Sequence, residues 1–384
     1  MKILVVKLSS LGDIVHTLPV VDIFVHNLPG VRIHWLVELR FADLLRLHPF
    51  IDRVISVDTR GWRKRFRPQM LKEISSVIKT LRREHYDLVV DFQGNSKSGF
   101  FTLFSGGIAR FGWSFDDVRE WPNVLATNRK IRFLPGVTSI RERLIMAALE
   151  ICRSLAGDRA GSPDFLYRNA LSPLRPPEAF IERQKRRLKS LGIPPEALIV
   201  GLQPGTTWET KRWSLEGWKT LIELLVHHHE AQSRDIRIVV FWGNDEEFSV
   251  ACYLKNATPD KVLLWRGGGL IDLASGIYLV DVMIGPDTGP VHLAALLGVP
   301  TVSIYRATGA RRNAPPSDNV TKHIALQSPM PCSPCLKKSC PENSFCETSV
   351  SPYLVFRCTL DLLTHGTTTG NVPGTNGRGC RGWK

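Results

Sequence analysis

KILVVKLSSLGD, Lys2 to Asp13, is the stretch from which the fold is read. Ile3, Leu4, Val5 and Val6 run without polar interruption and stop at Lys7. The turn Leu8-Ser9-Ser10-Leu11-Gly12 and the carboxylate of Asp13 follow. A strand apolar on both sides is covered on both sides, as in parallel sheets flanked by helices. Working outward, the same unit recurs. Strands are expected at Lys2–Lys7, Arg32–Val37, Arg53–Val57, Leu88–Phe92 and Ile108–Gly112. Helical patterns lie between them, near Ile14–Asn27, Phe41–Arg46, Gln69–Glu84 and Lys97–Phe104.

A stretch rich in Gly, Pro and Arg, Gly157 to Pro177, reads as a linker. After a Lys/Arg-rich helix at Glu178–Leu191 the alternation restarts. Strands are expected at Leu198–Gln203, Ile236–Trp242, Lys261–Trp265, Val280–Gly285 and Thr301–Tyr305. The helices between them are Leu215–Val226, Asp245–Lys255, Ile271–Tyr278 and Val291–Leu297. The fold class is therefore α/β, with two doubly wound domains facing a cleft: residues 1–165, residues 166–364, and a tail, 365–384, whose composition is that of disordered segments. In such sheets ligands bind beyond the carboxyl ends of the strands.

Composition narrows the function classes. The 384 residues carry 50 Lys and Arg against 36 Asp and Glu, a formal net charge of +14, which favours anionic partners. No recognised nucleic-acid module accompanies that charge, so no nucleic-acid partner is expected. No apolar run approaches the roughly 20 residues of a membrane span, and MKILVV is too short for a signal-peptide core. Six of the 8 cysteines follow residue 330, so disulfides do not staple the fold. Cys332, Cys335, Cys340 and Cys346 offer four thiolates, the number of a structural zinc site, although the spacing is irregular; free thiols are the competing reading.

Four loops sit where expected strands feed helices, positions that favour anions. They are Lys7–Asp13, Gln203–Trp213, Trp242–Glu247 and Gly285–His292. Thr206, Thr207 and Lys211 have the make-up of a diphosphate clamp, and Thr288 and Gly289 offer a hydroxyl and an uncluttered backbone. Asp287 and Asp13 also read as plain helix caps. Neither GxGxxG after the first strand nor GxxxxGK[ST] occurs, which removes the usual support for hydride transfer and P-loop chemistry.

KLSSLGDIVHTLP, LQPGTTWETKRW, FWGNDEE and IGPDTGPVHLAALLGVPTVSIY, in this order, resemble glycosyltransferase family 9, the family of the lipopolysaccharide core heptosyltransferases. The resemblance spans Met1 to about Pro315. Glu38, Asp58–Lys64 and Asn128–Lys130 resemble the heptosyltransferase I branch. It implies a GT-B fold and inverting transfer of heptose from ADP-heptose to the Kdo of Kdo-lipid A, at the cytoplasmic face of the inner membrane. It implies Asp13 as general base, with Lys211 as a second catalytic group on the diphosphate. It implies Thr206, Thr207, Lys211, Glu247, Asp287, Thr288, Gly289 and His292 around the donor. Ser9, Ser10, Gly12, Arg60, Arg63, Lys64 and Arg119 would lie toward the acceptor. No cofactor is required, and a Mg ion on the diphosphate is compatible with the scheme. Heptosyltransferase II, another family member acting further out on the core, and a nucleotide-sugar epimerase are the alternatives. After Tyr305 the family motif is lost, with Gly309 where an Asp is usual.

Overall fold

The computed structural model describes residues 1–62, 67–156, 174–266, 268–316 and 323–365. Within them twelve strands form two six-stranded parallel sheets. The first holds β1 (Lys2–Val6), β2 (Arg32–Glu38), β3 (Arg53–Val57), β4 (Leu88–Asp91), β5 (Ala109–Trp113) and β6 (Arg129–Ile131) in the order 3-2-1-4-5-6. The second holds β7 (Leu198–Leu202), β8 (Ile236–Trp242), β9 (Val262–Arg266), β10 (Val282–Pro286), β11 (Thr301–Tyr305) and β12 (His323–Gln327). Read from β9, its order 9-8-7-10-11-12 repeats that of the first sheet. Each order reverses direction at one place, between β1 and β4 and between β7 and β10. Such switch points open a crevice beyond the carboxyl ends of the strands.

The apolar strands bury both faces as expected. Ile3 and Val5 join one core and Leu4 and Val6 another. One core is continuous between the two sheets, taking in Ile3, Trp35, Leu149, Val239, Met283 and Leu293. The domains meet where helix Leu11–Thr17 packs on helix Gly289–Leu296 and where Ala42–Leu45 meets Leu270–Ile277.

Several expectations need correction. The single helix expected at Ile14–Asn27 is two, Leu11–Thr17 and Pro19–Asn27. Pro19 lacks the N–H that would continue the ladder and opens the second helix instead. β6 and β12 were not expected. Both are short outer strands with partly exposed residues, so neither shows a buried strand's apolar run. Helices Ile140–Ala156 and Pro352–His365 were also missed, and the second takes in His365, the first residue of the expected tail. The expected domain boundary at 165/166 and residues 366–384 lie outside the described residues.

Candidate active site

At the first switch point, β1 is followed by Lys7, which is buried and donates from Nζ to the Phe92 carbonyl at 3.0 Å. The turn above it is held by a neighbouring loop. Gln93 Oε1 accepts from the amides of Leu8 and Ser9, both at 3.1 Å. Gln93 is itself fixed by Asp91, the last residue of β4. One Asp91 oxygen accepts from the Gln93 and Gly94 amides, and the other accepts from Asn123 Nδ2 at 2.6 Å. Ser10 starts helix Leu11–Thr17. Its N–H and hydroxyl both donate to Asp13 Oδ2, at 2.9 and 2.8 Å. Asp13 thus reaches back to the helix start, as an acid three residues in can do. Burial opposes its ionisation, yet the charge of Lys7 and the two Ser10 bonds prevail and hold its pKa below the usual carboxylate value. Burial pushes the Lys7 ammonium down, against the pull of Asp13 and Asp91.

At the second switch point the centre is Asp287, also buried. Its Oδ2 accepts from Lys211 Nζ at 2.8 Å, Thr308 Oγ1 at 2.7 Å and Asn313 Nδ2 at 3.1 Å. Its Oδ1 pairs with His292 Nε2 at 2.8 Å. Burial again opposes the charge, but His292 and Lys211 keep Asp287 far below the ordinary carboxylate range. Lys211 also lies over the Trp208 ring, 4.8 Å from its centroid. Two buried polar atoms beside this cluster have no hydrogen-bond partner, Thr288 Oγ1 and His292 Nδ1. Buried polar atoms left without a partner are uncommon, and each calls for a specific account such as a water, an ion or a catalytic role. Thr206 is half-buried and Thr207 exposed. Glu247 Oε2 accepts from the Gly243 amide, and its side chain covers Gly205 so closely that a Cβ there would lie 2.4 Å from it. That contact ties the loop after β7 to the loop after β8, and a larger residue at 205 would displace the Glu247 carboxylate.

The two switch points touch. A Cβ on Gly12 would meet His292 Cδ2 at 3.0 Å, and one on Gly289 would meet Leu11 at 2.9 Å. Each glycine therefore admits a side chain of the other domain. His16, one turn past Gly12, packs edge-on against His292 with centroids 4.6 Å apart. Burial, helped by His292, lowers the His16 pKa to about 3, so the ring is neutral at neutral pH.

Around the first domain's rim, Glu38 is buried at the end of β2. It accepts from the Thr59 amide and hydroxyl and from Lys97 Nζ at 3.2 Å. Arg60 and Arg119 are exposed there; Arg119 acts electrostatically on Lys7, and Arg60 on Arg40. Arg63 and Lys64 lie outside the described residues.

The structure thus gathers Asp13, Ser10 and Gly12 with His292, Asp287, Gly289 and Lys211. Sequence reasoning missed Gln93, Asp91, His16, Thr308 and Asn313. Thr308 and Asn313 come from the loop that lost its family motif, so no pattern flagged them. Among the described residues no three His, Cys, Asp or Glu side chains gather as a metal site, and Cys332, Cys335, Cys340 and Cys346 are free thiols. Their segment is tied to the domain by Leu336 N donating to the Ala307 carbonyl and by the Arg306 side chain donating from Nε to the Cys346 carbonyl.

A family model described as glycosyltransferase family 9 (heptosyltransferase) matches residues 74–345. Lipopolysaccharide heptosyltransferase 1 of Pseudomonas aeruginosa is 31% identical over 342 residues, covering 88% of this chain and 87% of that protein. Two solved structures of the Escherichia coli heptosyltransferase WaaC, with ADP and with ADP-2-deoxy-2-fluoro heptose, have the same fold at TM-scores of 0.70 and 0.68. Each is 24% identical and covers 94% of this chain, and the matches take in 100% and 99% of those chains.

Proposed function

The chain belongs to glycosyltransferase family 9, with the GT-B fold, and is a heptosyltransferase of lipopolysaccharide core synthesis; from that premise we propose its substrates and its chemistry. The donor is ADP-heptose and the acceptor is the Kdo of Kdo-lipid A. The observation that carries this reading is the apposition of two switch points, one holding an ionised carboxylate, Asp13, and the other a lysine, Lys211, with orphaned polar atoms beside it.

The donor lies on the second domain. Its diphosphate meets Lys211, the hydroxyls of Thr206, Thr207 and Thr288, and the free amides at the start of helix Gly289–Leu296. Glu247 takes ribose hydroxyls. Asp287 is an anion with both oxygens engaged, so it does not itself hold the diphosphate; it aims Lys211 and His292. On the first domain, Asp13 accepts a proton from the acceptor hydroxyl as that oxygen attacks the anomeric carbon from the face opposite ADP. The bond to the diphosphate breaks, the configuration inverts, and ADP leaves with its negative charge met by Lys211 and the helix amides. Ser9, Ser10 and Gly12 shape the acceptor side of the turn. Arg60, Arg119, Arg63 and Lys64 pair with Kdo carboxylates and lipid A phosphates. The scheme needs no metal, because Lys211 and the helix supply the positive counterpart of the leaving group.

Kdo-lipid A is anchored in a bilayer, so the enzyme works at the cytoplasmic face of the inner membrane. No helix of the described residues is long and apolar enough to cross a membrane. Incubation with ADP-heptose, with and without Kdo-lipid A, tests the reading. Release of ADP and a heptosylated lipid only when both are present supports it. Equal ADP release without acceptor, or transfer only to an already heptosylated core, overturns it.

A further inference from the structure

A second feature of the first domain lies outside the cleft. Helix Ser96–Phe104 and the 3-10 segment Trp121–Ala126 run side by side over β4 and β5, each leading from the carboxyl end of the sheet back toward its amino end. They are clamped together. Ser96 donates from N and Oγ to Glu120 at 2.8 and 2.7 Å, and Gly99 admits Asn123 to 3.0 Å from where a Cβ would stand. Their inward residues, Ser98, Gly99, Phe101, Asn123 and Ala126, are buried. Their outward residues are large and apolar. Leu125 is 73% exposed, Trp121 62%, Leu103 43% and Phe100 39%, and Phe115 on the adjoining loop is 69% exposed. Isolated apolar side chains on a surface are ordinary, but five large ones on two clamped segments and their connecting loop form a patch.

One flank of the patch is basic, while Asp116 and Glu120 on the loop before Trp121 are exposed acids. Helix Arg67–Arg83 packs beside helix Ser96–Phe104, and Arg82 Nε donates to the Phe104 carbonyl at 3.1 Å. Lys72, Lys79, Arg82 and Arg83 on that helix are exposed, as is Leu71. Aromatic and aliphatic side chains flanked on one side by a row of Lys and Arg suit the boundary between acyl chains and anionic headgroups. The loop from Phe115 to Trp121 also carries Arg119, which acts on Lys7 in the cleft. One loop therefore joins the patch to the acceptor side of the site.

We propose that this face, Phe100, Leu103, Phe115, Trp121 and Leu125 with the basic helix beside them, docks on an anionic lipid bilayer, so that a lipid-anchored acceptor reaches Asp13 without leaving the membrane. The proposal rests on the reading that the acceptor is lipid-anchored. The test is flotation of the full chain with vesicles of phosphatidylcholine alone or mixed in equal parts with phosphatidylglycerol. The expected result is flotation with the mixed vesicles and little with phosphatidylcholine. Partition should fall about tenfold or more in the double variant Trp121→Ser with Leu125→Ser, and in Phe100→Ser with Leu103→Ser, because binding scales with buried apolar area. Lys72→Ser with Lys79→Ser should weaken it and remove the headgroup preference. Parent-like far-ultraviolet circular dichroism and a parent-like melt of the first domain, with ADP affinity by calorimetry unchanged, show that the variants fold. Flotation of the folded variants equal to that of the parent overturns the proposal. So does a patch-dependent dimer in sedimentation velocity without vesicle binding, which would make the face an interface between copies. Loss of heptose transfer to every acceptor beside intact, patch-dependent flotation would sink the substrate reading and leave the docking face standing.

Discussion

The two switch points have the same topology and opposite polarity. In the first domain the buried charge is a cation, Lys7, and the more accessible one is a carboxylate, Asp13. In the second the buried charge is a carboxylate, Asp287, and the more accessible one is a cation, Lys211. Lys7 helps to hold Asp13 charged, and Asp287 accepts from Lys211 Nζ at 2.8 Å. A sugar transfer divides its needs in the same way: a base for the incoming hydroxyl on one side, and positive charge for the outgoing diphosphate on the other. In the proposed scheme one strand order supplies both halves of the chemistry by exchanging which sign lies underneath.

The sharpest way to break this pairing is at Asp13. Asp13→Asn keeps the shape and the bond from Ser10 but cannot accept the proton, so turnover should fall by about 10²–10⁴ while ADP titrates as before. Near-normal turnover would leave the first domain without its base. Lys211→Ala comes next. It should cut turnover by roughly 10² and weaken ADP binding in calorimetry, because the lysine meets the diphosphate before and during transfer; an unchanged dissociation constant would mean that Asp287 holds Lys211 for structural reasons alone. Gly12→Ala then asks whether the two halves must sit at one fixed spacing. A Cβ 3.0 Å from His292 Cδ2 makes that ring, the partner of Asp287, give by a few tenths of an ångström, and the misplacement predicts a loss of about tenfold in turnover. ADP affinity should hold, and wild-type kcat in the variant would show the contact to be slack.

The smallest effect concerns stability. Asp287 has its pKa depressed on folding from the ordinary aspartate value of 3.8, so its contribution is present above that value and is lost as the pH falls through 3.8 toward the folded pKa. Urea unfolding should therefore show stability declining on acidification below about pH 5. Asp287→Asn should flatten that slope by up to ~1.4 kcal/mol per pH unit, the value for one proton. A slope unaltered by the substitution would show that other carboxylates carry it.

What could be read beforehand follows from burial. β1, β8 and β11 are covered on both faces, so their apolar runs and limits were legible. β6 and β12 are half-wet edges and gave no run to read. Lys7, Asp13, Thr206, Lys211 and Asp287 stood in local motifs that begin or end at strands. Gln93 could not be found this way, because its role is to receive two amides from a loop 84 and 85 residues away in sequence. Thr308 and Asn313 reach Asp287 across 21 and 26 residues and carry no repeated pattern. Contacts of that kind exist only once the sheets have brought the loops together.

The segment after β12 has a practical meaning for anyone who would exchange donor domains between enzymes of this kind. Arg306 is buried, and its guanidinium donates to the carbonyls of Cys346 and Asn343. Trp213 donates to the Val350 carbonyl at 2.9 Å, and helix Pro352–His365 lies along helix Leu215–Glu230, burying Val355 and Leu362. A chimaera cut at residue 345, where the family match stops, would leave the indole of Trp213 without its acceptor and the graft's apolar flank wet. The cut that transplants a working nucleotide half falls after His365.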